Sequence, residues 1–170
     1  MRLLALSLEN YRNIASARLV PGPELTVICG NNGQGKTNLL EAVWLLTGGK
    51  SFRGGKDAEL VRCGAPYAAL EARTLAGSGK ENEVRLTVGA AGEARTGRYA
   101  VWNGTPPKRA SSLAGSFPAV VFDPGHLSLV KGPPDGRRRF LDAALCQLYP
   151  GYLAIYRRDV RILQQKNSLL

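Results

Sequence analysis

Residues 30–37, with the sequence GNNGQGKT, constrain this chain more than any other stretch. They match the pattern Gly-x4-Gly-Lys-[Ser/Thr] at every fixed position. Loops of this kind turn at their glycines so that several backbone N–H groups point inward at phosphate oxygens. The lysine adds a cation for the terminal phosphates, and the hydroxyl that follows can ligate Mg²⁺. The motif therefore predicts a binding site for a nucleotide phosphate chain.

The segments on either side of this loop support the same interpretation. Residues 25–29 form an apolar run, which predicts a buried strand that leads into the loop. Behind the loop, apolar side chains recur at positions 39, 43 and 46 and at 40 and 44, the spacing of a helix. Lys36 and Thr37 would begin that helix, whose positive N-terminal end adds to the anion site.

The charge of the chain indicates a polyanionic partner. Among 170 residues, 23 are basic and 13 acidic, which gives a formal net charge of +10 and a pI near 10.0. Half of this excess lies from Lys131 onward, where eight residues are basic and three are acidic. Such a field attracts the phosphate backbone of nucleic acids. The length and the alternation of strand-like and helix-like runs indicate one α/β domain with a sizeable core.

Cysteine usage and hydropathy indicate a cytoplasmic protein. Cys29, Cys63 and Cys146 are odd in number and too widely spaced for a zinc site, which fits a reducing compartment. We expect all three at core or neutral positions. No apolar run is long enough to cross a membrane, and charged residues follow the short N-terminal run at once, so neither a membrane partner nor a signal peptide is predicted.

Alternation of apolar and polar residues predicts a series of strands. Leu4, Leu6 and Leu8 lie on one face of a first strand, and residues 14–20 can form a second. Three later runs have the pattern of an antiparallel meander. Its strands are predicted at residues 67–75, 83–88 and 98–102, with turns at 77–80, 90–93 and 103–104.

A glycine-rich basic loop follows the motif helix at residues 48–56. It carries Lys50, Arg53 and Lys56. Two interpretations remain open. The loop is a mobile basic segment near phosphate, with these three residues as candidate DNA contacts, or it is a solvated linker.

A second apolar run, residues 118–123, ends at Asp123 and predicts a strand. An apolar strand that ends in Asp is how many nucleotide-hydrolysing proteins hold Mg²⁺, so Asp123 is a candidate Walker B residue. No Glu follows it to activate water. His126, the only histidine, lies in the Pro/Gly turn that follows, where a cap or surface role is expected.

A helical stretch begins near Pro133, because proline and Asp135 both suit a first helical turn. Beyond residues 150–151 a coiled-coil seam is predicted. Its residues are Leu153, Tyr156, Val160, Leu163 and Leu170. No capping Gly or Pro follows, so we expect the natural protein to continue. Arg137, Arg138 and Arg139 flank the apolar stripe and are either a solvated face or, as the overall charge favours, a track for a DNA backbone.

Several spaced motifs together resemble the RecF family of bacterial recombination-repair proteins. The motifs occur in the same order as in the family, and the match covers essentially all 170 residues. The motifs are LSLENYRN at 6–13, GNNGQGKTNLLEA at 30–42, SFR at 51–53, NG at 103–104, VFDP at 121–124, VKG at 130–132 and RRRFLD at 137–142.

This resemblance implies an ABC-type ATPase head related to SMC proteins. Such a head is an α/β P-loop NTPase whose N-terminal part, residues 1–130, has a mixed sheet and an antiparallel β subdomain. Residues 131–170 would lead into a helical second lobe. The family dimerises around two ATP molecules, binds gapped DNA and single-strand/double-strand junctions, and acts with RecO and RecR to load RecA. Roles in DNA replication, DNA repair and the SOS response are implied with it.

The resemblance also implies site residues. Arg12 and Asn13 would lie near the nucleotide, and Asp123 where related heads place their magnesium-sensing loop. That loop lacks its usual glutamine here, so Asp123 is a candidate contact for Mg²⁺ or water only. Lys36 would stabilise the phosphates and Thr37 would ligate Mg²⁺. The residues expected to wrap ATP are Gly30, Asn31, Asn32, Gly33, Gln34, Gly35, Lys36, Thr37 and Asn38.

Two alternatives remain. One is a self-contained P-loop kinase or NTPase that uses Asp123 as its Walker B residue. The other is a different SMC-like or overcoming-lysogenization-type ATPase with the same fold. Under the RecF interpretation, the signature motif and the Walker B pair would lie beyond residue 170. We then expect slow, DNA-dependent ATP hydrolysis by the complete protein and little by residues 1–170.

Overall fold

A computed structural model describes residues 1–89, 97–106, 108–149 and 151–168. The chain divides into two compact units, Met1–Leu113 and Ala114–Leu170. Among the described residues, the first contains every strand and the nucleotide-binding motif, and the second contains helices. The domain boundary predicted after residue 130 stays a prediction.

Unit 1 is built on a six-stranded antiparallel sheet. The strands are paired in the order β2-β1-β3-β4-β5-β6, so the N-terminal hairpin continues into the meander through β1 and β3. This confirms the two predicted N-terminal strands and the predicted meander, although the turn predicted at 90–93 lies outside the described residues. The strands are β1 Arg2–Tyr11, β2 Ile14–Leu19, β3 Tyr67–Leu75, β4 Glu81–Gly89, β5 Gly97–Trp102 and β6 Lys108–Arg109.

One face of this sheet forms the core. Leu8 lies opposite Leu70, and Leu70 lies opposite Leu86, so three fully buried leucines form a row across the central strands. The alternate residues point to the other face, where Glu71 and Arg85 form an exposed ion pair with 3.4 Å between Oε1 and Nε. This segregation is the result that period-two alternation predicts.

Helix α1, Lys36–Leu45, follows the glycine loop and packs against β1. It begins at the residue that the motif predicts. Its buried face differs from the predicted stripe, because Leu40 is 53% exposed while Glu41, Ala42 and Leu45 are buried. A charged residue therefore occupies the centre of the packed face. Unit 1 also contains the 3₁₀ helices Asp57–Leu60 and Ala110–Leu113.

Two apolar runs that were predicted as strands, one before the glycine loop and one ending at Asp123, are not strands. Residues 25–29 and 118–123 have no regular secondary structure, and Val27 and Val120 are 72% and 93% exposed. A strand needs a neighbour for its backbone hydrogen bonds, and none of the described residues pairs with either run. All the pairings among the described residues are antiparallel, so the parallel part of the predicted mixed sheet is not formed.

Unit 2 is a succession of helices. A 3₁₀ helix, Pro124–Leu127, leads into the short helix α2, Ser128–Lys131. The longer helices α3, Pro134–Leu148, and α4, Tyr152–Asn167, pack against each other. The predicted seam has Leu153, Tyr156 and Val160 half-buried and Leu163 exposed, while Leu170 lies outside the described residues.

The structure bears on two further expectations from the sequence, which concern membrane-spanning segments and the burial of the cysteines. Within the described ranges, none of the helices is both long and apolar enough to cross a membrane. Cys29 and Cys63 are exposed and Cys146 is half-buried, so a core position, one of the two expectations, is wrong for the first two.

Candidate nucleotide-binding site

The glycine loop owes its backbone conformation to three of its glycines. Gly30, Gly33 and Gly35 have φ values of 145°, 81° and 97°, which L-residues with a side chain rarely adopt. A Cβ atom at Gly30 or Gly33 would meet no atom within 4 Å, so the loop is open on that side. At Gly35 it would lie 3.0 Å from Asn13 Oδ1 and 3.2 Å from Ile14 Cγ1. The φ value therefore favours glycine at position 35, and a side chain there would also press on Asn13 and Ile14.

Lys36 and Thr37 are placed for charge and metal chemistry at the start of α1. The Lys36 ammonium donates to the carbonyl oxygens of Gly30 and Asn31 at 2.7 and 2.8 Å, which holds it across the loop. An ammonium has three donors, so one remains for an anion. Thr37 is exposed at the helix N-terminus, where its hydroxyl could complete a Mg²⁺ coordination sphere. Both side chains fit a nucleotide with its metal ion.

A chain of side-chain amides joins the loop to its surroundings. Asn13 Nδ2 donates to the Gly33 carbonyl at 2.8 Å, and Asn38 Nδ2 donates to Asn13 Oδ1 at 2.7 Å. Arg53 Nη1 in turn donates to Asn38 Oδ1 at 2.5 Å. Residues from three parts of the chain are thus connected, and three of them, Asn13, Gly33 and Asn38, are predicted nucleotide ligands.

Beneath this chain lies the buried carboxylate of Glu41. Its Oε1 accepts from Arg12 Nη2 at 2.7 Å and from the Ser51 hydroxyl at 2.5 Å. Its Oε2 accepts from Arg12 Nε at 3.0 Å and from the Tyr11 hydroxyl at 2.8 Å. Arg53 Nη1 lies 4.0 Å from Oε2. Glu41 therefore connects α1 with the end of β1 and with the basic loop.

The same contacts shift the pKa values of the three groups. Burial by itself raises the pKa of Glu41, but hydrogen bonds from Arg12, Ser51 and Tyr11 outweigh it, and the pKa lies below its usual value. The hydrogen bond to Glu41 raises the pKa of Arg12. Burial, followed by the charge of Glu41, raises the pKa of the Tyr11 hydroxyl. Glu41 and Arg12 are thus held in their charged forms and Tyr11 in its neutral form.

A cavity of about 590 Å³ opens next to these residues. Its lining includes three arginines and two asparagines against one glutamate, which suits an anionic ligand better than an apolar one. The lining residues are Arg12, Asn13, Asn38, Arg53, Glu59, Arg62 and Cys63.

The basic loop, residues 48–56, contacts α1 and β5 at its first residues, while its role as a DNA contact or a solvated linker stays a prediction. Trp44 Nε1 donates to the Lys50 carbonyl at 2.7 Å. Arg98 of β5 donates to the Gly49 carbonyl at 2.5 Å, and its Nε lies 3.0 Å from Asp57 Oδ1 as an ion pair without hydrogen-bond alignment. The loop nevertheless leaves Lys50, Arg53 and Lys56 exposed.

Asp123 lies in unit 2, where it caps a turn. Its carboxylate accepts from the Gly125 N–H, and its backbone N–H donates to His126 Nδ1 at 3.0 Å. His126 therefore has the capping role that its position in a Pro/Gly turn predicts. A Walker B function for Asp123 stays a prediction.

The three arginines at the start of α3 differ in their contacts. Arg137 Nη1 donates to the carbonyls of Leu129 and Gly132 at 3.2 and 3.0 Å, so it stabilises the end of α2. Arg138 forms an exposed ion pair with Asp135 at 3.0 Å. Arg139 makes no hydrogen bond or ion pair to another described residue. Arg138 and Arg139 are thus more accessible to a ligand than Arg137.

The sheet, the glycine loop and α1 together define a P-loop nucleotide-binding head of the ABC-ATPase type. The family model described as an AAA domain matches residues 5–117, and the chain belongs to that family. The resemblance to the N-terminal portion of RecF is confirmed, because all 170 residues are similar to proteins of that name. The chain is 44% identical to the DNA replication and repair protein RecF of Anaeromyxobacter sp. (strain Fw109-5) and 40% identical to that of Syntrophotalea carbinolica.

This chain spans less than half the length of those relatives, 44% and 45%. Solved structures show the same relation. A structure of the recombination mediator protein RecF-ATP in the RecFOR pathway superimposes with a TM-score of 0.89 at 29% identity, over 99% of this chain and 44% of that one. The SMC head domain from Thermotoga maritima shares the fold alone, with a TM-score of 0.55 at 21% identity, over 79% and 52%.

Sequence reasoning missed the residues that support the site from behind. Glu41, Tyr11 and Ser51 carried no predicted role, although all three lie in or beside the motifs that resemble RecF. A glutamate within the apolar pattern of α1 was the available signal, since a charged side chain on a packed helix face needs a partner. Arg62 and Glu59 of the cavity left no comparable signal.

Proposed function

We propose that the protein binds ATP with Mg²⁺ at residues 30–38 and uses the bound nucleotide to control binding to DNA in replication and recombinational repair. The observation that carries this proposal is the open glycine loop at the start of α1, with a Lys36 donor still available. The names of the similar proteins, DNA replication and repair protein RecF and RecF-ATP in the RecFOR pathway, support it. Arg12, Asn13 and Thr37 would complete the contacts to nucleotide and metal.

The DNA partner we propose is a gap or a single-strand/double-strand junction. The excess of positive charge supports a DNA partner, and the exposed side chains of Lys50, Arg53 and Lys56 supply one candidate surface. Arg137, Arg138 and Arg139 supply another. RecO and RecR would be the protein partners in loading RecA, ATP would bring two copies together, and the site of action would be the cytoplasm.

Nucleotide binding is tested first, by titrating the protein with a fluorescent ATP analogue in the presence of Mg²⁺. Lys36→Ala should lose binding by about tenfold or more, since a hydrogen bond to a charged group contributes roughly 1.5–3 kcal/mol. Lys80→Ala, in the exposed turn between β3 and β4, is the matched control and should bind as the wild type does. Equal affinities of the two variants would exclude the loop as the site.

The rate of ATP hydrolysis distinguishes this proposal from the alternative of a self-contained P-loop enzyme. We expect residues 1–170 to bind ATP and hydrolyse little of it, with or without gapped DNA. Robust hydrolysis by the monomer, lost in Asp123→Asn, would instead favour a kinase or NTPase that uses Asp123 as its Walker B residue. The oligomeric state is recorded in the same samples by light scattering.

DNA binding is tested by its salt dependence on gapped, single-stranded and fully paired DNA. The logarithm of the binding constant falls linearly with the logarithm of the salt concentration. Each phosphate contact that is removed should reduce the magnitude of this slope by about 0.9 on duplex DNA. Replacing Arg138 and Arg139 by Gln should therefore lower the slope by up to about 2. Arg137 is left in place because it stabilises the end of α2. An unchanged slope would place the DNA elsewhere, with the basic loop as the next surface to test.

A further inference from the structure

The side chain of Glu41 is completely buried, and one of its hydrogen-bond partners, Arg12, lines the cavity of the candidate nucleotide site. Its four hydrogen bonds use both carboxylate oxygens, and two of the four come from Arg12. Removing one partner of a buried ion pair strongly destabilises a protein, so we expect the fold to depend on these contacts of Glu41. No contact to a nucleotide is available to a side chain with 0% exposure. Any effect of Glu41 on the ligand therefore acts through its neighbours.

The neighbour that matters most is Arg12. Its guanidinium has five N–H donors, of which Nε and one on Nη2 go to Glu41 and one on Nη1 goes to the Glu59 carbonyl at 3.0 Å. Two donors remain, and Arg12 lines the cavity beside Asn13 and Asn38. The two-point contact with Glu41 fixes the plane of the guanidinium and so the direction of those two donors.

Glu41 also determines the local charge. Arg12 and Arg53 both approach its carboxylate, Arg12 through hydrogen bonds and Arg53 at 4.0 Å. One negative charge between two positive ones allows the guanidiniums to lie close together and still leaves a net positive charge at the cavity. Ser51, two residues before Arg53, is tied to the same carboxylate, which fixes the segment that carries Arg53.

We propose that Glu41 is a positioning residue for ATP binding, which orients Arg12 toward the cavity and holds Ser51 and Arg53 beside it. This inference rests on the proposed function, because it assigns Glu41 a part in the same nucleotide site. It differs from a purely structural role in one respect. Because Arg12 is the neighbour with two donors left at the cavity, most of the effect of Glu41 on affinity should pass through Arg12 and be lost when Arg12 is absent.

A double-mutant cycle on ATP affinity tests this requirement. The variants are Glu41→Gln, Arg12→Ala and the two combined, each titrated with the fluorescent ATP analogue and Mg²⁺ and checked for folding by circular dichroism. We expect Glu41→Gln to weaken binding by about tenfold in the wild-type background, the lower end of one charge-assisted hydrogen bond, and by less than about twofold in the Arg12→Ala background. Glu71→Gln removes an exposed ion-paired glutamate and is the matched control, expected to bind as the wild type does.

Two results would overturn the inference. One is a Glu41→Gln variant that binds ATP as the wild type does, and the other is an equal loss of affinity in both backgrounds. If the wild type itself failed to bind ATP, the proposed function would fail and the positioning role with it. A well-folded wild type that binds, together with an unaffected Glu41→Gln, would leave nucleotide binding intact and refute only the role of Glu41.

Arg12→Lys keeps the test decisive if Glu41→Gln does not fold. Lysine retains the positive charge but cannot make the two-point contact with a carboxylate. We expect Arg12→Lys to lose nearly as much affinity as Arg12→Ala, within about threefold, because charge alone does not supply the orientation. Binding like that of the wild type would show that the orientation set by Glu41 is not needed.

Discussion

Replacing Glu41 by Ala should destabilise unit 1 far more than replacing Glu71 by Ala, although both glutamates form an ion pair with an arginine. The Glu41 carboxylate is 0% exposed and its partner Arg12 only 17% exposed, whereas Glu71 and Arg85 are 57% and 55% exposed. Removing one partner of a buried pair costs about 3–5 kcal/mol because the other charge is left buried. An exposed pair contributes about 0–1 kcal/mol.

The lower end of the first range applies, since Arg12 keeps some solvent contact and its bond to the Glu59 carbonyl. We expect a loss of about 3 kcal/mol for Glu41→Ala and less than about 1 kcal/mol for Glu71→Ala. Urea unfolding followed by tryptophan fluorescence measures both, because Trp44 lies in α1 and Trp102 in β5. Similar losses in the two variants with unchanged m values would refute the reasoning.

The pH dependence of the difference in unfolding free energy between the wild type and Glu41→Ala gives a second measurement. The pKa of Glu41 is lower in the folded protein than its usual value, so its contribution to stability is complete above about pH 4.3, the value in unfolded chains. That contribution is lost as the pH falls through the folded pKa. The gap in unfolding free energy between the wild type and Glu41→Ala should therefore narrow in acid. A gap that stays constant down to the acid-unfolded state would mean that the Glu41 charge is not what stabilises the fold.

Three further predictions concern the core, the glycine loop and the basic loop. Leu70→Ala should cost about 2–5 kcal/mol in urea unfolding, while Val27→Asp should change stability by less than about 0.5 kcal/mol, because the first side chain is fully buried and the second is 72% exposed; a large loss at Val27 would show that residues 25–29 are packed. Gly35→Ala should abolish binding of the ATP analogue, since its Cβ would press on Asn13 at an unfavourable φ, and an unchanged affinity would contradict this geometry. Arg98→Met should increase hydrogen exchange at residues 49–57, the segment that Arg98 holds, and unaltered protection there would show that other contacts suffice.

Most of the sheet of unit 1 could be predicted from the sequence because, apart from the pairing of β1 with β3, its strands pair with a neighbour in sequence. The hairpin β1–β2 and the meander β3–β5 each pair with a neighbour in sequence, so local alternation carries most of the information. Residues 25–29 have an equally apolar sequence but form no strand. Whether an apolar run pairs depends on a partner that lies far away in sequence or outside the segment, and alternation carries no information about it.

The glycine loop of the candidate site was predictable from the sequence, but the contacts around Glu41 were not. The glycine loop is contiguous, so spacing alone placed Lys36 at the first residue of α1. The support behind it is assembled from segments 29 to 47 residues apart, such as Arg12 with Glu41 and with the Glu59 carbonyl. Helical periodicity assigned the buried face of α1 to apolar residues, because periodicity does not register that a carboxylate can be buried when arginine surrounds it.

The buried pair of Glu41 and Arg12 is a poor way to obtain stability alone. Two well-packed apolar side chains of similar volume are often as stabilising as a buried ion pair or more so, since no charge must be desolvated. Helix α1 already buries Ala42 and Leu45 on the same face, so an apolar residue at position 41 would extend an existing core. What an apolar pair could not supply is a guanidinium with fixed orientation and two donors left over at the edge of a cavity. Those two remaining donors are the feature on which the positioning role proposed for Glu41 rests.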